Sequence, residues 1–173
     1  MPTRTKPLHY VILILIVAGA ALLRIQYNTV TLIDTPIRGD ATSYVNYANN
    51  LVEHRTFSRS RESTPPVPDN YWAPGYPSFL AAVIVIANTL EQDSYTLTLR
   101  LQAVLGAATV LLVFLFARLV MSAAWALFAA ALMSISPHAV SLGSYLLTET
   151  LFAFLLTLAL LLFALSIRSL NPK

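Results

Sequence analysis

Two carboxylates occupy surroundings in which an acid has a use beyond solvation. Glu149 lies in Thr148-Glu149-Thr150, inside the apolar stretch 145–162. An ionisable group at such depth is expensive and is by default a functional hypothesis. A local explanation competes with it, because an acid in the first turns of a helix interacts favourably with the macrodipole. Asp40 opens a segment with apolar or aromatic residues at Ala41, Tyr44, Val45, Ala48, Leu51 and Val52. Steps of three and four are the period of an amphipathic helix. Asp40 is equally suited to the N-cap of that helix, where its carboxylate would accept orphan N–H groups of the first turn. A carboxylate free of that duty can orient a nucleophile or take its proton. Arg100 stands at the start of a long apolar run. Snorkelling toward water is the ordinary behaviour there; a phosphate contact is the functional alternative, since guanidinium suits phosphate geometry. His9, His54 and His138 have no metal-like spacing. Gly143-Ser144 near His138 falls short of a serine-protease arrangement, which needs a positioned base and an oxyanion hole.

The elements that must hold these groups are apolar. Of 173 residues, 57% are hydrophobic and 11% charged, with mean hydropathy +0.66. A soluble domain carries about 25% charged residues, so an ordinary cytosolic enzyme, a disordered tail and a nucleic-acid module are excluded. The net charge of +3 comes from basic residues that do not interleave with aromatics along a polar face, so no nucleic-acid partner is expected. With no cysteine, a disulfide scaffold, a thiolate nucleophile and a thiolate metal site are also excluded.

A spanning helix needs roughly 20 apolar residues for about 30 Å of hydrocarbon. Four segments qualify, at about 8–26, 98–120, 123–138 and 146–168. The first follows a leader with Arg4 and Lys6. Ala18-Gly19-Ala20 has the small residues of a signal-cleavage site, but the apolar run continues through Leu23, so it reads as a retained span. The segment 77–90 is too short and is expected to be interfacial or re-entrant. The expectation is an all-α, polytopic membrane protein with one transmembrane domain over 1–173. An outer loop, 27–97, would carry juxtamembrane helices at about 41–54 and 77–90. Residues 55–70 read as a mobile, Pro-rich loop, and Tyr71-Trp72-Ala73-Pro74-Gly75-Tyr76-Pro77 as aromatics around a Pro-Gly turn. With the N-terminus inside, Arg4, Lys6, Arg118, Arg168 and Lys173 are cytoplasmic, as the positive-inside rule expects. All 8 carboxylates then fall outside, together with Arg24, Arg38, Arg55, Arg59, Arg61 and Arg100. In that topology Glu149 reaches the same outer face as Asp40.

The order of these features is familiar. An apolar first helix is followed by Arg38-Gly39-Asp40 with Tyr44 four residues on. Then come the aromatic-Pro-Gly-Tyr-Pro turn, Arg100, Pro137 closing a short helix, and Leu147-Thr148-Glu149-Thr150-Leu151-Phe152 entering the next. This order resembles the N-terminal part of the GT-C glycosyltransferases, of the dolichyl-phosphate-mannose mannosyltransferase and aminoarabinose transferase type. The resemblance implies transfer of a sugar from a polyprenyl-phosphate donor to a lipid, glycan or protein acceptor. The location it implies is a bacterial inner membrane, with the active site facing the periplasm. Asp40 would be the acid of the first outer loop, acting as general base or orienter of the acceptor, and Glu149 the second acidic position. Arg38, Tyr44, Tyr76 and Arg100 would line the carrier or acceptor side. A divalent cation can stabilise the leaving phosphate, although Ala41 stands where many relatives carry a second acid. Family members run to several hundred residues, so the chain is expected to be a front portion or a shortened relative. The rival expectation is a small non-catalytic membrane module that binds a lipid carrier or a partner protein. A transporter or channel subunit is the weakest class, since the expected spans bear no mid-depth carboxylate and no broken-helix Gly/Pro pairs.

Overall fold

Long apolar runs without an internal proline have one way to satisfy their backbone, and helix is the only regular structure among the described residues. The computed structural model describes residues 6–31, 33, 35–61 and 65–170. Seven helices lie within them: α1 (Pro7–Val30), α2 (Asp40–His54), α3 (Gly75–Thr89), α4 (Ser94–Ala117), α5 (Ala123–Ser134), α6 (Pro137–Leu142) and α7 (Glu149–Leu170). Arg4 and Lys173, which enter the positive-inside argument, lie outside the described residues, as do the carboxylates of Asp34 and Glu62.

Three helices, α1, α4 and α7, are long and apolar enough to cross a membrane. The other expected span is shorter than its sequence suggests. α5 has 12 residues, about 18 Å at helical rise, against a hydrocarbon core of about 30 Å. Its end has a local cause. Pro137 disfavours helical geometry in the residue before it, so α5 stops at Ser134 and Pro137 begins α6, with Ser136 as N-cap. At the other end of the chain's first apolar run nothing breaks the helix after Leu23. α1 therefore continues to Val30 and carries Arg24 inside it rather than in a loop.

The chain divides into two compact units. The first holds α1, Gln102–Ser144 and α7; the second holds Thr31–Leu101 and Tyr145–Thr148. In the first, α1, α4 and α5 share a core of Leu13, Ala20, Ala107, Val110, Phe114, Ala117, Ala126, Leu127 and Ala130. Its alanines let helix backbones approach closely, as packing in lipid requires.

In the second unit α2 packs on α3. The buried face of α2 is Ala41, Tyr44, Tyr47, Ala48 and Asn50, rotated from the expected apolar stripe toward two polar-tipped side chains. Both serve the segment that follows. Asn50 Nδ2 donates to the carbonyls of Ser58 (2.8 Å) and Ser60 (2.7 Å). The Tyr47 hydroxyl donates to Asp69, and its ring stacks on Phe57 at 4.2 Å. Asp69 also accepts from the N–H groups of Arg59 (2.8 Å) and Tyr71 (3.2 Å), and the Arg59 guanidinium lies 4.4 Å over the Tyr71 ring. The described parts of 55–70 are non-helical, as expected, and are pinned to α2 by these bonds. Asp69 is the hub of that clasp. Asp69→Ala is expected to lower unfolding free energy by roughly 2 kcal/mol, the scale of lost hydrogen bonds to a charged acceptor. Denaturation of the purified protein followed by tryptophan fluorescence measures it, since Trp72 adjoins the clasp.

Asp93 precedes α4 and caps it. Its Oδ2 accepts from the Thr96 N–H and the Thr96 hydroxyl, each at 2.7 Å. These bonds, chiefly the hydroxyl, favour the charged form and hold the carboxyl below its ordinary range. A depressed pKa contributes stability above the unfolded value, about 3.9 for Asp, and that contribution is lost as pH falls through the folded value. Asp93→Ala should therefore destabilise by about 1 kcal/mol at neutral pH. The gap between mutant and wild type should close below about pH 4 in melts across a pH series.

Candidate functional site

Arg24 is the residue around which the site forms. It lies on α1 and is 2% exposed. Its Nη1 donates to the Ala20 carbonyl one turn back and to the Ser134 carbonyl of α5, both at 3.1 Å, and Nη2 donates to Met133 O at 3.5 Å. Met133 and Ser134 end α5, where carbonyls lack intrahelical partners and the dipole favours a cation. The reach is possible because α4 presents Gly106 underneath. A Cβ added there would lie 2.6 Å from Nε and 2.9 Å from Cδ of Arg24. Nε itself is buried and has no hydrogen-bond partner. Among the described residues no carboxylate forms an ion pair with Arg24. Its hydrogen-bonding partners are neutral carbonyls.

Arg24 lines a cavity of about 310 Å³ in the first unit, with Gly106, Thr109, Met133, Ser136, His138, Leu142, Glu149 and Ala153 among its walls. Glu149 is the first residue of α7 and is exposed. It is thus a first-turn acid at a helix entry, not a group within the apolar body of the helix, because α7 starts four residues later than the apolar stretch. His138 is exposed on α6. Among the described residues no three or more His, Asp or Glu side chains are grouped to hold a metal ion.

The remaining expected site residues belong to the second unit. Asp40 is exposed and is the first residue of α2, not its N-cap. Gly39 takes the cap position at φ 56°, ψ −127°, with no side-chain cap bond. A positive φ with that ψ suits glycine alone, so the turn places Asp40 inside the first turn with its carboxylate unclaimed by capping. Arg38 is also exposed, as is Arg100 in the second turn of α4. Tyr44 and Tyr76 are buried. Their rings meet edge-on at 5.3 Å, and Tyr44 meets Trp72 at 5.2 Å. This makes them the packed core of the unit instead of an open lining. A second cavity, about 270 Å³, lies within this unit between Val45, Asn49, Arg61, Leu80, Tyr95 and Leu146, and contains none of the expected residues.

Arg24 is the functional candidate that sequence reasoning missed. It directly follows an apolar run and so reads as a flank. The available signal was Ile25, Tyr27 and Val30, which let the helix run on and draw Arg24 into it. No protein-family model, curated protein or solved structure matches the chain.

Gly106→Ala tests the packing at this site. The added methyl overlaps Arg24, so the variant should release the guanidinium from the Ser134 carbonyl and lower the melting temperature by several degrees, consistent with a loss of about 1–3 kcal/mol on overpacking. Gly19→Ala on α1, where a Cβ meets nothing within 4 Å, should leave stability unchanged or raised.

Proposed function

We propose that the chain is a membrane glycosyltransferase of the GT-C kind, or the front portion of one. It would move a sugar from a polyprenyl-phosphate donor to a lipid, glycan or protein acceptor. The observation that supports this reading is the cavity in the apolar-helix unit that is lined by both a carboxylate, Glu149, and a guanidinium, Arg24. Sugar transfer from a lipid phosphate needs those two group types. A carboxylate can orient the acceptor, and a cation steadies the phosphate that departs with the bonding electrons.

In this reading the chain crosses the membrane four times, with α5 and α6 together making the third crossing. The N-terminus is cytoplasmic, and the segment from α2 to α3 lies on the outer face of a bacterial inner membrane. Asp40 takes the acceptor hydroxyl proton as the new glycosidic C–O bond forms and the bond to the carrier phosphate breaks. Glu149 is the second acid, and Arg38 and Arg100 contact the carrier or acceptor. Tyr44 and Tyr76 act by shaping the unit around α2, since their rings are packed.

Asp40→Asn should reduce transfer by the complete protein at least about 100-fold, the usual contribution of a general base, with an unchanged melting temperature. Incorporation of labelled sugar from the carrier into acceptor, in membranes holding wild type or variant, measures it. Transfer within a factor of about two of wild type would remove Asp40 from the chemistry and leave it a helix-terminus acid.

A further inference from the structure

We infer that the cavity of the second unit is a binding site for a compact hydrophobic carboxylate, with Arg61 as the cation that holds the carboxyl group. The assignment stands apart from the transfer reading, since none of the residues given a part in transfer lines this cavity.

Its walls come from four parts of one unit. α2 supplies Val45 and Asn49, and α3 supplies Leu80 and Ile84. Side chains four residues apart lie on one face of a helix, so each pair makes a continuous wall. Tyr95 enters from the first turn of α4, and Arg61 from the segment that follows α2. The clasp fixes that segment, because Asn50 Nδ2 holds the carbonyl of Ser60, the residue before Arg61, at 2.7 Å. Two successive residues thus divide the work. Asn49 faces the cavity, and Asn50 anchors the backbone that carries the cation.

The charge is one-sided. Arg61 is the one charged side chain among the described walls, and no ion pair joins it to a carboxylate among the described residues. Asp93, next to the α4 wall in sequence, is engaged by the N–H and hydroxyl of Thr96 and does not line the cavity. An anion entering here meets a cation and no opposing acid. The Asn49 amide and the Tyr95 hydroxyl can add neutral donors.

The form of the anion follows from the walls. A guanidinium presents two parallel N–H donors that match the two oxygens of a carboxylate. A phosphate would bring further charged oxygens against Val45, Leu80 and Ile84, where no donor replaces their lost hydration. Size narrows the class further. The cavity of about 270 Å³ takes roughly nine non-hydrogen atoms at the share of liquid volume that a water occupies. After the carboxyl group, about six carbons of apolar body remain, and these suit the three aliphatic side chains. Benzoate has that size and that division of character.

The test is equilibrium dialysis of radiolabelled benzoate against the purified full chain in a neutral maltoside detergent, with matched micelles as the blank. Saturable binding of one benzoate per chain is expected, with benzamide and phenyl phosphate competing at least about tenfold more weakly than unlabelled benzoate. Arg61→Gln should weaken binding about tenfold or more, the scale of a lost charge-assisted bond. Arg61 is exposed, so this variant should keep the melting temperature of the unliganded protein. Benzoate should raise the melting temperature of wild type and leave that of Arg61→Gln unmoved. Arg55→Gln removes an exposed cation from the same segment that does not line the cavity, and it should bind as wild type does. Absence of saturable binding at millimolar benzoate would overturn the site. Benzamide competing as well as benzoate would overturn the anion, and phenyl phosphate competing better would overturn the carboxylate. Equal weakening in Arg55→Gln and Arg61→Gln would reduce the effect to net charge and overturn the role of Arg61. No transfer enters this measurement, so its failure is distinct from retained transfer in Asp40→Asn.

Discussion

The Arg24 guanidinium passes over Gly106 to reach the carbonyl of Ser134, and three helices must stand where they do for that reach to exist. α1 carries the charge inward, α4 offers the single residue without a Cβ that lets it pass, and α5 ends at the carbonyls that receive it. The alanines around them on α1, α4 and α5 bring the backbones close enough for these distances. The proline that stops α5 is therefore part of the same arrangement. A longer α5 would bind its own carbonyls at Met133 and Ser134 internally and leave Arg24 only the Ala20 carbonyl. The unit holds a cation in an apolar surround through three bonds to carbonyls, with Nε left without a partner.

The second unit solves a different problem, which is to hold an irregular segment without a large core. α2 does this with polar tips on its buried face. Tyr47 and Asn50 reach out of α2 to fix the carbonyls of Ser58 and Ser60 and the carboxylate of Asp69. Tyr44, Trp72 and Tyr76 form the aromatic layer beside them. At the start of the same helix, Gly39 makes the turn that frees Asp40 from capping. The rigidity of α2 and the availability of Asp40 thus come from opposite ends of one element.

Much of the architecture was legible in the sequence because hydrocarbon length and helix period are strong constraints. The helices in 40–54 and 75–89 and the long helices around 8–26, 98–120 and 146–168 follow from apolar runs and from spacing by three and four. The shortfalls have local causes. α5 is shorter than its apolar run because Pro137 acts on the residue before it, a backbone effect that hydropathy does not register. The buried face of α2 turns toward Tyr47 and Asn50 because their partners lie 8 to 22 residues further along, beyond any window of periodicity. Of the candidate site, Glu149 was visible as an acid among apolar residues. Arg24 was not, because its significance comes from Ser134, 110 residues away.

The central claim is that Arg24 is a buried cation with an open Nε at a cavity in the apolar-helix unit. Nitrogen-15 NMR of arginine-labelled protein in neutral bicelles tests it directly, with Arg24→Gln identifying the signal. The account predicts that the Arg24 Nε–H exchanges with solvent far more slowly than those of exposed Arg38 and Arg100, and that its resonance shifts on addition of an alkyl phosphate. An Arg24 Nε–H that exchanges as fast as theirs, or one that stays unmoved by the phosphate, would contradict it.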